Sequence, residues 1–240
     1  MTAEQWTRMV RHQVGLGRLV PLGGPGDGAW ITEGAAGEVL GRAAAEGAPG
    51  VRLGTLRIAP ADPEEVRESV VPAPPSALPP GALRVTADFA ATAAEPLPTA
   101  AARLRRVLTT AATERLGLTV TEVDLRVTDL LETDEPAPAV RAPRPAPARE
   151  VTDPDEARVA EVVLAVPGVT GLTGSLGGLG RAVHVEERTD GAALPHRHVR
   201  VELTTGTGHR ALDVARQVRA AVRDALADRP TVAVLVTWAG

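Results

Sequence analysis

The two halves of this chain carry the same short pattern in the same order, and this internal repeat limits the possible folds more than any other feature. In both halves a Pro-Gly-Val turn follows an apolar stretch of helical character, within Gly47–Val51 and within Ala165–Val169. Downstream of each turn, apolar and polar residues alternate from Leu83 and from Val199. A period of two is typical of half-buried strands. Each half therefore predicts a helix followed by strands.

A long amphipathic helix is predicted after each alternating segment, at Ala100–Arg115 and at Asp213–Ala227. Apolar residues recur there about every fourth position, so one face of each helix is expected to pack on a sheet. A final alternating strand is predicted from Val123 and from Val232. When the two helices are aligned, the matched pairs are Leu104 with Val218, Leu108 with Val222, Ala112 with Leu226, Arg105 with Arg219 and Arg115 with Arg229.

Two glycines predict local chain reversals. Segments starting at Arg181 and at His198 flank Asp190-Gly191, a dipeptide that favours a tight β-hairpin. Gly117, between two leucines, predicts a left-handed cap that ends the first long helix.

These patterns predict an α+β fold of two tandem small modules, each helix–strand–strand–helix–strand, with two helices on one face of a small mixed sheet. The first module is placed at 1–131, with an amphipathic N-terminal segment and a proline-rich loop at 59–81 between two strands. The second module is placed at 154–240. Repeated Ala-Pro at 132–153 favours an extended polyproline conformation, so this segment is predicted to be a semi-rigid linker.

Leu104 and Val222 are predicted to be equivalent core anchors, because each lies in the middle of the apolar stripe of its helix. An aspartate at either position would bury an unpaired carboxylate. Because a tether passes little mechanical constraint, each change is expected to unfold mainly its own half.

Composition excludes several kinds of site. The chain has no cysteine, which excludes disulfides, thiolate metal sites and cysteine nucleophiles. Its net charge of −4 lacks the basic excess that is usual in proteins that neutralise many phosphates. No apolar run approaches the ~20 residues that span a bilayer, and polar residues interrupt any signal-peptide core near the N-terminus. A cytoplasmic location is expected.

Two glycine-rich segments are predicted to be structural loops. Gly206–Ala211 reads GTGHRA between a strand and a helix, but no acidic residue follows the next strand to hold a ribose. Gly174–Gly180 reads GSLGGLG and lacks the lysine of a phosphate-binding loop. Neither segment predicts a bound cofactor.

Three histidines fall on or beside the predicted hairpin. Alternation puts His196 and His198 on one face, with His184 free to sit opposite. Imidazoles are zinc ligands, but the face is polar and no carboxylate is fixed beside them, so we interpret them as surface histidines without metal. No G-x-S-x-G motif is present, and no catalytic residue is predicted. An enzyme would require a concave site that gathers these histidines with Glu202.

Two segments are candidate interaction surfaces. Arg216, Arg219 and Arg223 form one helical stripe that suits an acidic partner, a lipid headgroup or nucleic acid. The alternative is a solvated face, because aspartates neighbour the stripe. Near the N-terminus, an amphipathic segment with Trp6 on its apolar face and Arg8 and Arg11 close by suits docking on a partner or a membrane surface, or covering the first module's core.

The order of these segments resembles that of the alkaline shock, or Gls-type, envelope stress response proteins, in a tandem form of actinobacterial type. The resemblance is carried in the second half by VLAVPGV, HVRVEL, ALDVARQVRAAVRDAL and VAVLVTW. In the first half it is carried by GAPGV, ALRVTADF, AAARLRRVLTTAATERLGL and TVTEVDLRV. The chain departs from the family pattern in having two copies, in its extra proline and in lacking the aromatic residue usual where the strand enters the long helix.

The resemblance implies a non-enzymatic scaffold or interaction protein of an envelope or general stress response, with no cofactor and no small-molecule substrate. It implies a cytoplasmic protein, in some members held at the inner face of the cell membrane through a partner. Protein partners are expected, such as a membrane-associated anchor or a second copy of the chain. The alternative is a nucleic-acid-binding protein that uses its arginine-bearing helices, which the negative net charge disfavours.

Overall fold

A computed structural model describes the chain over residues 18–132, 144–175, 180–189 and 196–240. Within these ranges the helices are α1 (Glu33–Gly47), α2 (Leu97–Ala111), α3 (Pro154–Leu164) and α4 (Ala211–Ala225). A single π-helical turn, Ala112–Leu116, extends α2. The strands are β1 (Leu19–Pro21), β2 (Ala29–Thr32), β3 (Val51–Pro60), β4 (Leu83–Thr92), β5 (Val120–Leu131), β6 (Val169–Leu172), β7 (Val183–Arg188), β8 (His196–Thr205) and β9 (Thr231–Ala239). The predicted α+β class is confirmed.

The strands form two mixed sheets. The smaller sheet has the order β3-β4-β5, with β3 antiparallel and β5 parallel to β4. The larger, six-stranded sheet has the order β1-β2-β9-β8-β6, and β7 also pairs with β8. Strands β6 and β7 are antiparallel to β8, whereas β9 is parallel to it. In both halves, therefore, an antiparallel strand precedes two parallel strands that a long helix connects.

The repeated Pro-Gly-Val turn performs the same task in both halves. Gly50 and Gly168 adopt positive φ angles of 74° and 90°, a conformation that favours glycine. Each glycine carbonyl accepts a backbone hydrogen bond of 2.9 Å from the end of the partner strand, from Thr92 and from Gly206 respectively. The turn thus ends a helix and starts a strand.

Two local predictions are confirmed. Gly117 ends the π-helical turn with a φ of 90°, so the left-handed cap is present. Strands β7 and β8 pair antiparallel as a hairpin requires. The predicted turn at Asp190-Gly191 lies outside the described residues.

The large sheet contains strands from both halves of the chain. Strand β2 pairs in parallel with β9, with Ala29 opposite Val234 and Ile31 opposite Val236. Strand β1 adds to the outer side of β2. The arrangement of two separate modules joined only by a tether is therefore not confirmed.

One continuous hydrophobic core also joins the two halves. It includes Leu104 and Leu108 from α2 together with Val218 and Val222 from α4, all at most 1% exposed. Helix α1 contacts β3 in the small sheet and β9 in the large one, so it lies between the two sheets. A charge placed in this core is thus expected to affect both halves, and not mainly its own.

The proline-rich loop lies between two strands, β3 and β4, as predicted. It also covers part of the face of the large sheet that the helices leave open, over β1, β2 and β9. Val71 packs there against Trp30 and Leu235 in a small second cluster. The indole Nε1 of Trp30 donates to the carbonyl of Leu78 at 3.4 Å.

The second part of the predicted linker is attached to the large sheet. Ala148 donates its backbone N–H to Leu172 at 3.1 Å, and Pro147 forms a bridge with Thr173. The guanidinium of Arg144 lies 5.7 Å from the ring centre of Trp238. Residues 133–143 lie outside the described residues, so the prediction of a tether remains only for them.

Candidate functional site

Two arginines of the predicted stripe hold the chain segment that leads into β2. Arg216 forms a double hydrogen bond with the carboxylate of Asp27, at 2.8 and 3.1 Å. Arg219 donates to the carbonyls of Gly26, Asp27 and Val232. The stripe as an interaction surface stays a prediction, but these two side chains already bind groups of their own chain.

The charge state of Asp27 reflects these contacts. Partial burial acts to raise the pKa of Asp27, but the hydrogen bonds from Arg216 and from the backbone of Gly24, with the charges of Arg216 and Arg219, hold it below its ordinary value. Asp27 is therefore ionised at neutral pH and fixes the turn before β2. Arg223, the third member of the stripe, is exposed.

The second predicted surface, Trp6 with Arg8 and Arg11, lies outside the described residues and stays a prediction. Within the described ranges, every helix is too short or too polar to cross a lipid bilayer.

The three histidines lie on one face of the β7–β8 hairpin. In its register His184 is opposite Arg200, and His198 is opposite Glu186. Residues directly opposite in a sheet share a face, and alternation puts His196 and Arg200 on the face of His198. The sequence left open a position of His184 on the opposite face, and the register places it on the same face as the other two. Among the described residues, no three His, Asp or Glu side chains are grouped as a metal would require.

The histidine and glutamate side chains on this face hold neighbouring strands and loops in place. The interpretation as a surface histidine is wrong for His198, which is 5% exposed because it packs beside β9, with its Nδ1 2.8 Å from the hydroxyl of Thr231. His184 Nε2 lies 3.2 Å from the carbonyl of Arg181. The fully buried Glu202 accepts the backbone N–H of Ser175 at 2.8 Å.

The pKa of His198 makes this packing sensitive to acid. Burial, together with the charge of Arg188, lowers the pKa of His198 to about 4 from its ordinary 6.5. Between those two values the unfolded chain binds more protons than the folded one, so the free energy of unfolding falls as the pH falls from 6.5 towards 4.

Replacing His198 by asparagine should remove this pH dependence. Asparagine can keep the hydrogen bond to Thr231 but does not titrate. One pKa unit is worth about 1.4 kcal/mol, so the wild type should lose about 2–3 kcal/mol relative to His198→Asn between pH ~7 and pH ~4. Urea unfolding of both proteins at the two pH values measures this difference. Parallel pH profiles for the two proteins would contradict the assignment.

The GTGHRA segment connects β8 to α4. In the GTGHRA segment, Gly206 bonds the carbonyl of Gly168 as described above, and Arg210 donates to the carbonyl of Thr113 in the other half at 2.9 Å. These contacts give the segment a structural role. The GSLGGLG segment lies partly outside the described residues.

The feature that sequence reasoning missed is the outer edge of β5, the side of Val120–Leu131 that faces away from β4. Leu83 donates its N–H to the carbonyl of Thr119, so the backbone of Thr119 faces β4. The register then shifts by one residue between Leu83 and Arg84. Beyond this shift, alternation turns the backbone groups of Glu122, Asp124 and Arg126 towards β4 and directs those of Val123, Leu125 and Val127 outward. Among the described residues, no strand pairs with this edge.

The side chains of β5 differ between its two faces. Val123 and Leu125 pack into the core, whereas Val127 is 40% and Leu130 59% exposed on the same strand. The other face carries charges at every second position. Arg84 bonds Glu122 at 2.6 Å, and Arg126 bonds Asp88 through two contacts of 2.8 and 3.2 Å. Alternating charge in the sequence of β5 was the signal that could have identified an edge strand.

A shallow groove begins where the β5 edge ends. It is lined by the Pro49-Gly50 turn, by residues 92–95 at the end of β4, by Arg103 and by Leu130. Arg103 is held there by an ion pair with Glu95 and by a 2.7 Å bond to the carbonyl of Pro49. The exposed Leu130 thus borders both the groove and the open edge.

Comparison of this chain with models of known protein families and with curated protein sequences gave no match. The resemblance to alkaline shock proteins therefore stays a prediction.

Proposed function

We propose that this protein is a non-enzymatic scaffold or interaction protein of an envelope or general stress response, and that it binds other protein chains through the β5 edge. The observation that carries the proposal is a strand of 12 residues whose outer backbone groups have no strand partner among the described residues. An exposed edge is a ready template for strand addition by another chain.

The placement of the apolar side chains supports the same proposal. Val127 and Leu130 belong to the few large hydrophobic residues that are strongly exposed in the described part of the chain. Both lie on the strand that has the open edge. Main-chain pairing with contacts from alternate side chains is how strand addition obtains affinity and specificity.

The side chains that an enzyme would require at a concave site make structural contacts. His184, His198 and Glu202 each bind a neighbouring backbone or hydroxyl group, as described above. We propose a cytoplasmic location for this scaffold, held at the inner face of the membrane by a protein partner where it acts on the envelope.

A complementation experiment in the native host tests the proposal. A strain that lacks the gene is complemented with wild type, with Val127→Lys or with His198→Asn, and survival under envelope stress is measured. A lysine on an edge strand blocks pairing, and Val127 is exposed enough to tolerate it. We expect Val127→Lys to fail and His198→Asn to restore survival fully. Full rescue by Val127→Lys would contradict the proposal, as would a deletion strain without a stress phenotype.

A further inference from the structure

We infer that two copies of this chain pair through their β5 edges, antiparallel, with Leu125 of one copy directly opposite Leu125 of the other. The inference rests on the proposed function, because it uses the same edge, and it specifies the partner as a second copy of the chain. It starts from a difference between the two halves.

In the second half, the corresponding edge is occupied. Strand β9 follows β8 as β5 follows β4, and the outward N–H of Val234 in β9 donates to the carbonyl of Gly28 at 3.0 Å, beside β2. Strand β2 thus covers on β9 the edge that has no strand partner on β5 among the described residues. The fold therefore builds a strand that accepts a neighbour, and leaves one such position open.

The sequence of β5 is complementary to itself in one register. A two-fold axis makes two copies of one strand antiparallel. With Leu125 on the axis, Asp124 of each copy lies opposite Arg126 of the other, and Val123 lies opposite Val127. Opposite charges and paired apolar side chains across strands are stabilising, whereas like charges directly opposite are destabilising.

The neighbouring registers lack this complementarity. An axis at Asp124 pairs Glu122 with Arg126 on both sides but places two Asp124 carboxylates opposite each other at its centre, and an axis at Arg126 places two guanidinium groups opposite each other. An axis at Val123 places Glu122 opposite Asp124. Only the register centred on Leu125 forms two Asp–Arg pairs, and it also buries the exposed part of Val127.

The backbone groups fit the same register. Val123, Leu125 and Val127 direct their N–H and C=O groups outward, so Leu125 with Leu125 and Val123 with Val127 become hydrogen-bonded pairs. Arg105 donates to the carbonyl of Val123 at 3.0 Å, but a carbonyl has two lone pairs. In the second half Arg219 makes the equivalent bond to Val232, two residues before Val234, where the pairing of β9 with β2 begins, so there the arginine lies beside a paired edge.

Charge exchange tests the register. Side chains of Asp124 and Arg126 are 64% and 75% exposed, and each substitution breaks a surface ion pair, with Arg84 or with Asp88, which is worth little, so both positions should accept substitution. Asp124→Arg places arginines opposite each other in a dimer, and Arg126→Asp places aspartates opposite each other. We expect each variant alone to sediment as a monomer at concentrations where the wild type dimerises, and an equal mixture of the two to form heterodimers.

One pair of strands buries an interface area below ~1,000 Å², so we expect a weak dimer. Cysteine trapping tests the same contact in a weak dimer. The chain has no cysteine, so Leu125→Cys can only form a disulfide between copies. A hydrogen-bonded antiparallel pair has Cα atoms ~5.5 Å apart, within disulfide range. We expect Leu125→Cys to cross-link at least about tenfold faster than Val70→Cys, a control at a 76% exposed loop position.

Equal rates for the two cysteine variants would overturn the inference, as would an unchanged dimer in Asp124→Arg or the absence of heterodimers in the mixture. If these results came with Val127→Lys still failing in the native host, the proposed function would stand with a different partner. If Val127→Lys also restored survival, both proposals would be wrong.

Discussion

Replacing Leu104 by alanine is expected to destabilise the whole chain in one transition. Leu104 is fully buried in the core that both halves share. Truncation of a buried leucine costs about 2–5 kcal/mol, which includes the cavity that remains. In a domain of this size, each kcal/mol lowers the melting temperature by about 2–4 °C.

The tryptophans make this prediction measurable. Trp30 lies in β2 and Trp238 in β9, so both report on the large sheet, whereas Leu104 belongs to the helix that joins two strands of the small one. Trp6 lies outside the described residues. Thermal unfolding by tryptophan fluorescence and by far-UV circular dichroism should shift together. Val222→Ala in α4 should give the same single transition, and Val70→Ala, at an exposed loop position, should change stability by less than ~0.5 kcal/mol.

A fluorescence transition that keeps the wild-type midpoint in Leu104→Ala, while circular dichroism loses part of its signal earlier, would show that the halves unfold separately. The two-module arrangement would then be correct in energetic terms despite the shared sheet.

Gly117→Ala is expected to have an effect of similar size, because this glycine lies where the two halves meet. A Cβ at Gly117 would lie 2.4 Å from the Cβ and 2.8 Å from Cδ2 of Leu212 in α4. Its φ of 90° adds backbone strain for any other residue. Strain of about 1–3 kcal/mol and overpacking of about 1–3 kcal/mol together predict a loss of about 2–6 kcal/mol.

Gly208→Ala separates these two contributions. Gly208 has a φ of 88°, but no atom lies within 4 Å of a Cβ placed there. This variant should therefore show only the strain, about 1–3 kcal/mol. Urea unfolding of both variants gives the packing contribution as their difference. Equal losses in the two variants would mean that Gly117 and Leu212 are not in tight contact.

Elements with strong local signals could be predicted from the sequence. The alternating segment from Leu83 starts β4, and the one from Val199 lies within β8. Gly117 caps its helix in the left-handed conformation that favours glycine. Arg105 and Arg219, matched by aligning the helices, make the same bond from Nε to the carbonyl of the next strand, each at 3.0 Å.

Pairing between distant segments could not be predicted. Strand β2 has only four residues, and its partner β9 lies at the other end of the chain. No local pattern indicates which edge so short a strand will join. The same holds for the arginine stripe. Its sequence indicates an exposed surface, because the partner of Arg216, Asp27, lies far away in sequence. The open β5 edge follows from these pairings, so it was not predictable before the sheets were known.

Amide hydrogen exchange along β5, measured residue by residue at increasing protein concentration, tests the central claim most directly. The account predicts that Val123, Leu125 and Val127 exchange fast in dilute protein, while Glu122, Asp124 and Arg126, which face β4, are protected. It predicts that the fast amides become protected as the concentration rises. Protection of all six amides in dilute protein would show that the edge is already covered by the chain itself. Fast exchange of the outward amides at every concentration would show that no second copy pairs there.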